Sequence, residues 1–240
     1  MDATVSKAGN SGPKIRSDCE VELELRESGG IEINLVSRVY SLYGESIKKD
    51  CENILNFFGV GNAVLRINDS GALPFVLHAR IESAVKKLTD TKLEFLPEFN
   101  EENKYSTERN RFRFTRLYLP GNTPSLMINA GLHSPDGIIL DLEDSVAPEK
   151  KDEARILVRN ALRQINFYWA ERMVRINQGE AGLNDLKYVI PHYVNLVLIP
   201  KCEYPEEVQS VEEEISRLCD EYNIPVPVYL MPIIESARGV

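Results

Sequence analysis

The chain of 240 residues sets 28 Lys and Arg against 37 Asp and Glu, for a net charge of −9, with 43% hydrophobic and 27% charged residues. Such a mixture belongs to one large or two small globular domains and excludes a disordered or collagen-like chain. The acidic balance disfavours general nucleic-acid binding, which needs basic surface to displace counterions, and no apolar run approaches the roughly 18 residues that span a bilayer. The stretch Met1 to Arg16 has no apolar core of a secretory signal. Cys19, Cys51, Cys202 and Cys219 form no CxxC pair and suit neither a zinc site nor a disulfide framework, which points to a reducing cytoplasm.

Residues 1–18, rich in Ser, Gly, Lys and Asn, read as a flexible tail. Val21, Leu23 and Leu25 alternate with charged residues, as do Ile31, Ile33 and Leu35 across a Ser28-Gly29-Gly30 turn, which predicts a hairpin. From Val36 to Phe58 the apolar positions recur with a helical period, ended by Gly59 and Gly61. Val64 to Ile67 predicts a third strand. Leu73 to Ala79 predicts a fourth, running into a short helix near Ile81 to Leu88. Residues 19–88 therefore form a small α+β domain of order ββαββ. Residues 89–110 are polar, contain Pro97 and lack a period; they read as a linker, with Leu93, Phe95, Leu96 and Phe99 available for docking.

From residue 111 to 240 strands and helices alternate. Strands are predicted at Phe114–Leu119, Gly137–Leu142, Met173–Ile176, Asn195–Ile199 and Pro227–Ile234. Helices start at Thr123-Pro124 and cover about 149–165, 183–190 and 205–222. The strands are nearly continuous apolar runs, as in a parallel sheet covered on both faces. The fold class is α/β: a doubly wound sheet or part of a (β/α)8 barrel, which needs about 250 residues. The chain stops at Val240 directly after a strand, which is read as an incomplete barrel; a complete five-stranded open sheet is the alternative.

In such folds the reactive groups gather at the carboxyl ends of the strands. There stand Gly121-Asn122, Asp141-Leu142-Glu143-Asp144, Arg175-Ile176-Asn177, Pro200-Lys201 and Glu235-Ser236-Ala237-Arg238. Carboxylates meeting basic residues suit a hard divalent cation and an Arg clamp for a keto acid's carboxylate. Each also has a plainer role: Asp144 as a helix cap, Arg175 as a partner of Glu143. His133 and His192 are expected at the surface, and Met127, Met173 and Met231 in the core. The residues alone support a metal-assisted lyase or hydrolase.

The motifs LYLPGN (117–122), IILDLEDSVAPEKKDEAR (138–155), ERMVRIN (171–177), LVLIPK (196–201) and IIESARGV (233–240) resemble, in order and spacing, the citrate lyase β-subunit / HpcH-HpaI aldolase superfamily. SDCEVELEL (17–25) and INDSGALPFVLHARIESAV (67–85) resemble the citrate lyase acyl carrier protein, the γ subunit. The resemblance implies a carrier–lyase fusion in which a Mg2+-dependent (β/α)8 barrel splits a citryl thioester into an acetyl thioester and oxaloacetate. It implies Glu235 as the first metal ligand, with a second beyond Val240, and Glu143, Asp144 and Arg175 as catalytic. It also implies substrate binding by Arg175, Gly121, Asn122, Lys201 and Ser236. Phe114 stands where the family commonly has an arginine, for which Arg116 is a substitute. Arg16 stands at the attachment serine's position in ungapped alignment; a shift of one residue makes Ser17 the attachment site for 2'-(5''-triphosphoribosyl)-3'-dephospho-CoA, and Ser11 is a further candidate. The implied partners are an acyl thioester, oxaloacetate or a related keto acid, a citrate lyase α (transferase) subunit and further copies of the chain, with no nucleic acid and no membrane. The alternatives are a CoA-dependent citramalyl-CoA or malyl-CoA lyase with a vestigial carrier domain, and a non-catalytic carrier or scaffold subunit.

Overall fold

A computed structural model describes residues 4–240, which divide into two units meeting at Pro97 and Glu98. In the first unit, β1 (Val5–Gly9), β2 (Cys19–Leu25), β3 (Ile31–Ser37) and β4 (Ala63–Asp69) form a sheet of order β1-β2-β4-β3, joined by helices α1 (Tyr40–Phe57) and α2 (Pro74–Lys86). The alternation read from the sequence is realised. Cys19, Val21 and Leu23 of β2 and Ala63, Leu65 and Ile67 of β4 are buried together with Cys51, Ile54 and Leu55 of α1 and Leu77, Ile81 and Val85 of α2.

Three expectations fail here, each for a local reason. Residues 5–9 are not tail but an edge strand antiparallel to β2, with Ala8 opposite Val21. The predicted hairpin does not form: β4 lies between β2 and β3, antiparallel to the first and parallel to the second. Asn62 opens the turn, its main-chain carbonyl accepting from Arg26 N–H and its side-chain oxygen from Gly30 N–H. The predicted fourth strand at 73–79 is the start of α2. Pro74 presets its first turn, and Leu77, Ile81 and Val85 repeat every four residues, a helical spacing. The order is βββαβα rather than ββαββ.

In the second unit, β5 (Arg116–Pro120), β6 (Gly137–Asp141), β7 (Glu171–Arg175), β8 (Leu196–Ile199) and β9 (Tyr229–Pro232) form a parallel sheet in chain order. The helices are α3 (Pro124–Met127), α4 (Lys151–Gln164), α5 (Gly179–Val189) and α6 (Pro205–Tyr222). The monotonic order lacks the reversal that defines a doubly wound sheet. Thr123 stands at the N-cap position of α3, but its side chain makes no capping bond.

Residues of adjacent parallel strands in register share a face. Tyr118, Ile139, Met173, Leu196 and Tyr229 therefore make one layer across the sheet, and Pro120, Asp141, Arg175, Leu198 and Met231 the layer above it, toward the carboxyl ends. Below lie Arg116, Gly137 and Glu171. The expected linker does not hold beyond residue 97. Buried Asn103 donates to the carbonyls of Leu162 and Ile165. Thr107 and Arg113 close on buried Glu171 at 2.7 and 2.5 Å. His192, expected at the surface, is only 3% exposed, and its Nδ1 lies 3.3 Å from Arg163 Nη1; His133 is exposed and Met127 and Met173 are buried, as expected.

Candidate active site

Asp141 ends β6 and Arg175 ends β7, and their register makes them direct neighbours. Arg175 donates through Nε and Nη2 to the two oxygens of Asp141, both at 2.7 Å. Two main-chain N–H groups, of Glu143 and Ser145, also reach the Asp141 carboxylate. Burial works against the charge on Asp141, but these hydrogen bonds outweigh it and hold the carboxyl below its ordinary range. Its hydrogen bonds to Asp141 raise Arg175 against burial, and its guanidinium also lies 5.3 Å from the centre of the Tyr118 ring. Gly121 makes room for this loop: its N–H donates to the Asp141 carbonyl at 2.7 Å, and a β-carbon there would sit 2.6 Å from that oxygen.

Glu143 lies above the pair. Its Oε1 accepts from Lys201 Nζ at 2.6 Å, and its Oε2 is 3.3 Å from Arg175 Nη1. That Oε2 is buried and accepts no hydrogen bond. Lys201 also donates from Nζ to Asp144 at 3.0 Å and from its main-chain N–H to Glu235 Oε1 at 3.0 Å. Hydrogen bonds to Glu143 and Asp144 raise Lys201, and the one from Lys201 lowers Asp144. An open cavity of about 440 Å³ beside them is lined by Gln178, Lys201, Glu203, Glu207, Glu235 and Ser236.

The cluster thus joins Glu143, Asp144, Arg175, Lys201 and Glu235, with Ser236 on the same cavity and Gly121 packed on the Asp141 carbonyl; the Asn122 side chain instead meets the Thr123 hydroxyl at 3.4 Å. It does not include Arg116, which starts β5 at the amino end of the sheet and reaches the Met231 sulfur at 3.2 Å. Ser17 belongs to the other unit. It stands between β1 and β2 with a φ of 54°, and its N–H donates to Ser70 O. The next residue, Asp18, is buried and bonded to Arg80 through two contacts of 2.9 Å.

The model of the HpcH/HpaI aldolase/citrate lyase family matches residues 115–240, and the acyl-carrier model described as malonate decarboxylase delta subunit (MdcD) matches residues 7–88. The chain belongs to the HpcH/HpaI aldolase/citrate lyase family. Within it, the chain is 35% identical over 133 residues to a citrate lyase subunit beta from Leuconostoc mesenteroides subsp. cremoris, covering 54% of this chain and 44% of that protein. It is 33% identical over 128 residues to the mitochondrial citramalyl-CoA lyase of Homo sapiens, covering 52% and 38%. The first unit is 40% identical over 86 residues to a citrate lyase acyl carrier protein from Clostridium perfringens, covering 36% of this chain and 85% of that protein, and so belongs to the carrier family. The chain spans less than half the length of the β-subunit relative.

The family implies magnesium, so the donors present matter. Among the described residues no group of three or more His, Cys, Asp or Glu is arranged to hold a metal. Magnesium needs no such cage: it keeps several waters and takes one or two carboxylates. Glu235 suits one such position, with Oε1 fixed by the Lys201 N–H and its side chain exposed beside the cavity. Asp141 and Asp144 are instead engaged by Arg175 and Lys201. Sequence reading grouped Asp141 with the other strand-end acids and missed its role as the principal partner of Arg175. Strand parity alone, which sets both residues on one face at the last position of neighbouring strands, carries that signal.

Proposed function

We propose that the second unit carries the carbon–carbon-cleaving site of a citryl-thioester lyase, and that the first unit is the acyl carrier that supplies it. The support is Glu143 Oε2, which is ion-paired with Arg175 but accepts no hydrogen bond. A buried carboxylate oxygen with no hydrogen bond, beside a guanidinium and held by a lysine on its other oxygen, is an acceptor waiting for a donor. The tertiary hydroxyl of a citryl group supplies that donor. The hydroxyl proton passes to Glu143 Oε2, and the carbon–carbon bond breaks as the hydroxyl oxygen becomes the ketone of oxaloacetate. The bond's electron pair moves into the thioester as its enolate, which then takes a proton to give the acetyl thioester. Arg175 Nη1 and Lys201 Nζ hold positive charge where the dicarboxylate gathers negative charge, already oriented by Asp141 and Asp144. Magnesium, when bound at Glu235, supplies further positive charge to the oxygens of the keto-acid half.

The parallel strands in chain order, and the contact between Arg116 of β5 and Met231 of β9, support a sheet curling toward a (β/α)8 barrel. Among the described residues no helix is long and apolar enough to cross a membrane; with the absence of disulfides among four free cysteines this supports a cytoplasmic protein. A transferase α subunit and self-association complete the proposed assembly.

Glu143→Gln tests the reading. It keeps the shape but removes the proton acceptor, and is expected to lower citryl-thioester cleavage by about 10² to 10⁴-fold. Near-normal turnover would overturn the assignment. The citramalyl-CoA lyase relative favours one second reading, a lyase that takes its acyl group from free CoA. Intact-mass spectrometry separates the two: a phosphoribosyl-dephospho-CoA adduct on Ser17 supports the carrier route, and an unmodified chain active on acyl-CoA supports the other.

A further inference from the structure

Lys150 and Lys151 are neighbours with opposite fates. Lys150 reaches Glu153, three residues on, as a surface lysine does on a helix. Lys151, the first residue of α4, turns back over the preceding loop. Its Nζ donates to the carbonyls of Leu142 at 2.6 Å and Glu143 at 2.5 Å. A cation at a helix N-terminus opposes the helix dipole, and burial lowers the pKa of this ammonium; the carboxylates of Asp185, Asp141 and Glu143 draw it the other way without outweighing burial.

The loop it grips explains it. Between residues 142 and 145 the peptides are sorted by direction: the N–H groups of Glu143 and Ser145 point at the Asp141 carboxylate, while the carbonyls of Leu142 and Glu143 point at Lys151. Asp141 pulls on one side and Lys151 on the other. The Glu143 side chain, with its open Oε2, leaves the loop between these two anchors. We propose that Lys151 is a positioning residue: its ammonium clamps the Leu142 and Glu143 carbonyls and so fixes Glu143 against Arg175 and Lys201. Only the role of this geometry in turnover rests on the lyase reading; the clamp itself does not.

Two readouts keep those apart. In Lys151→Met, amide hydrogen exchange at Glu143 and Ser145 is expected to accelerate about 10-fold or more, with the amides of β6 unchanged. Lys151→Arg, which keeps the charge and two donors, is expected to restore exchange to within about twofold of the parent. In the lyase assay the Met variant is expected to lose kcat by about 10²-fold with KM held within about twofold, because a displaced acceptor affects chemistry more than binding. Unchanged exchange in Lys151→Met, acceleration spread equally through β6 and α4, or no restoration by Lys151→Arg would each overturn the clamp. If the parent chain shows no lyase activity, the functional reading falls while the exchange comparison still decides the role of Lys151.

Discussion

Each unit holds one aspartate gripped by two nitrogens of one arginine, and the two pairs differ in what lies around them. Asp18 and Arg80 are sealed: their side chains are 3% and 0% exposed, and Asn10 and the Cys19 N–H fill further positions on Asp18. Asp141 and Arg175 stand at the rim: Asp141 is 2% exposed but Arg175 is 15%, with the unbonded Glu143 oxygen against its third nitrogen. A sealed pair with its hydrogen bonds made is architecture, and here it ties the Ser17 turn to α2. A pair open on one side, next to a carboxylate oxygen that is ion-paired but accepts no hydrogen bond, is poised to meet a ligand. The same two residue types thus do different work according to what remains unmade around them.

The comparison breaks most sharply at the sealed pair. Arg80→Met leaves Asp18 charged and buried without its partner, and breaking a buried pair in this way costs about 3–5 kcal/mol. The first unit is expected to unfold at markedly lower denaturant, with residues 5–18 released, while the second unit's transition is unmoved. Unchanged stability of the first unit would show that this pair is not its anchor.

The open pair is expected to behave in the opposite way. Arg175→Ala should lower lyase turnover by about 10² to 10³-fold, the range for removing one positioned donor from a developing charge. Its effect on stability should be smaller than that of Arg80→Met, because both aspartates keep two other donors but Arg175 is 15% exposed, so water can replace it on Asp141, whereas Arg80 is fully sealed. A stability loss equal to that of Arg80→Met, with turnover intact, would reverse the two roles. Gly121→Ala probes the floor of the same site. Its new β-carbon would meet the Asp141 carbonyl at 2.6 Å, a main-chain atom that cannot swing aside. Overpacking of this kind costs about 1–3 kcal/mol. Full stability and full activity in this variant would show that the loop has room to move.

Much of the second unit was legible because its strands are buried runs of one period and its helices carry clear starts: α6 opens at Pro205 and ends at Tyr222, the span expected. Its candidate residues were legible because a parallel sheet puts strand ends together. What stayed hidden depended on contacts distant in sequence. β4 enters between β2 and β3, and Asn62, just before it, lies 32 residues from the glycine whose N–H it accepts. The role of residues 98–113 lies in polar side chains reaching some 58 to 65 residues ahead, to Glu171, Leu162 and Ala170, with no periodicity to reveal it. The edge strand Val5–Gly9 is short, and its buried residues, Ser6, Ala8 and Gly9, are too small to mark an apolar face. Lys151 offered no sign at all, since its partners are main-chain carbonyls, which every sequence contains.

The two units also differ in how they should answer to acid. Each holds one histidine whose pKa burial lowers, His78 half-buried and His192 fully buried. Around His78 the charged groups are Asp50 and Glu82, which oppose that shift; around His192 they are Arg163 and Arg159, which add to it and take it well below the ordinary value. Arg163 donates toward His192 Nδ1, a contact that suits only the neutral ring. A histidine depressed in the folded state stays neutral there while the unfolded chain binds a proton. Its contribution is therefore complete above about pH 6.5 and is lost as pH falls below it, by up to about 1.4 kcal/mol per pH unit. The chain's single tryptophan, Trp169, lies in the second unit and reports on its unfolding. Between pH 6.5 and 5, His192→Gln should flatten the pH dependence of that transition by nearly the full slope, and His78→Gln should flatten the first unit's dependence by less. Equal slopes in parent and His192→Gln would mean that the ring is charged in the fold, and that the arginines around it are balanced by a group other than those named.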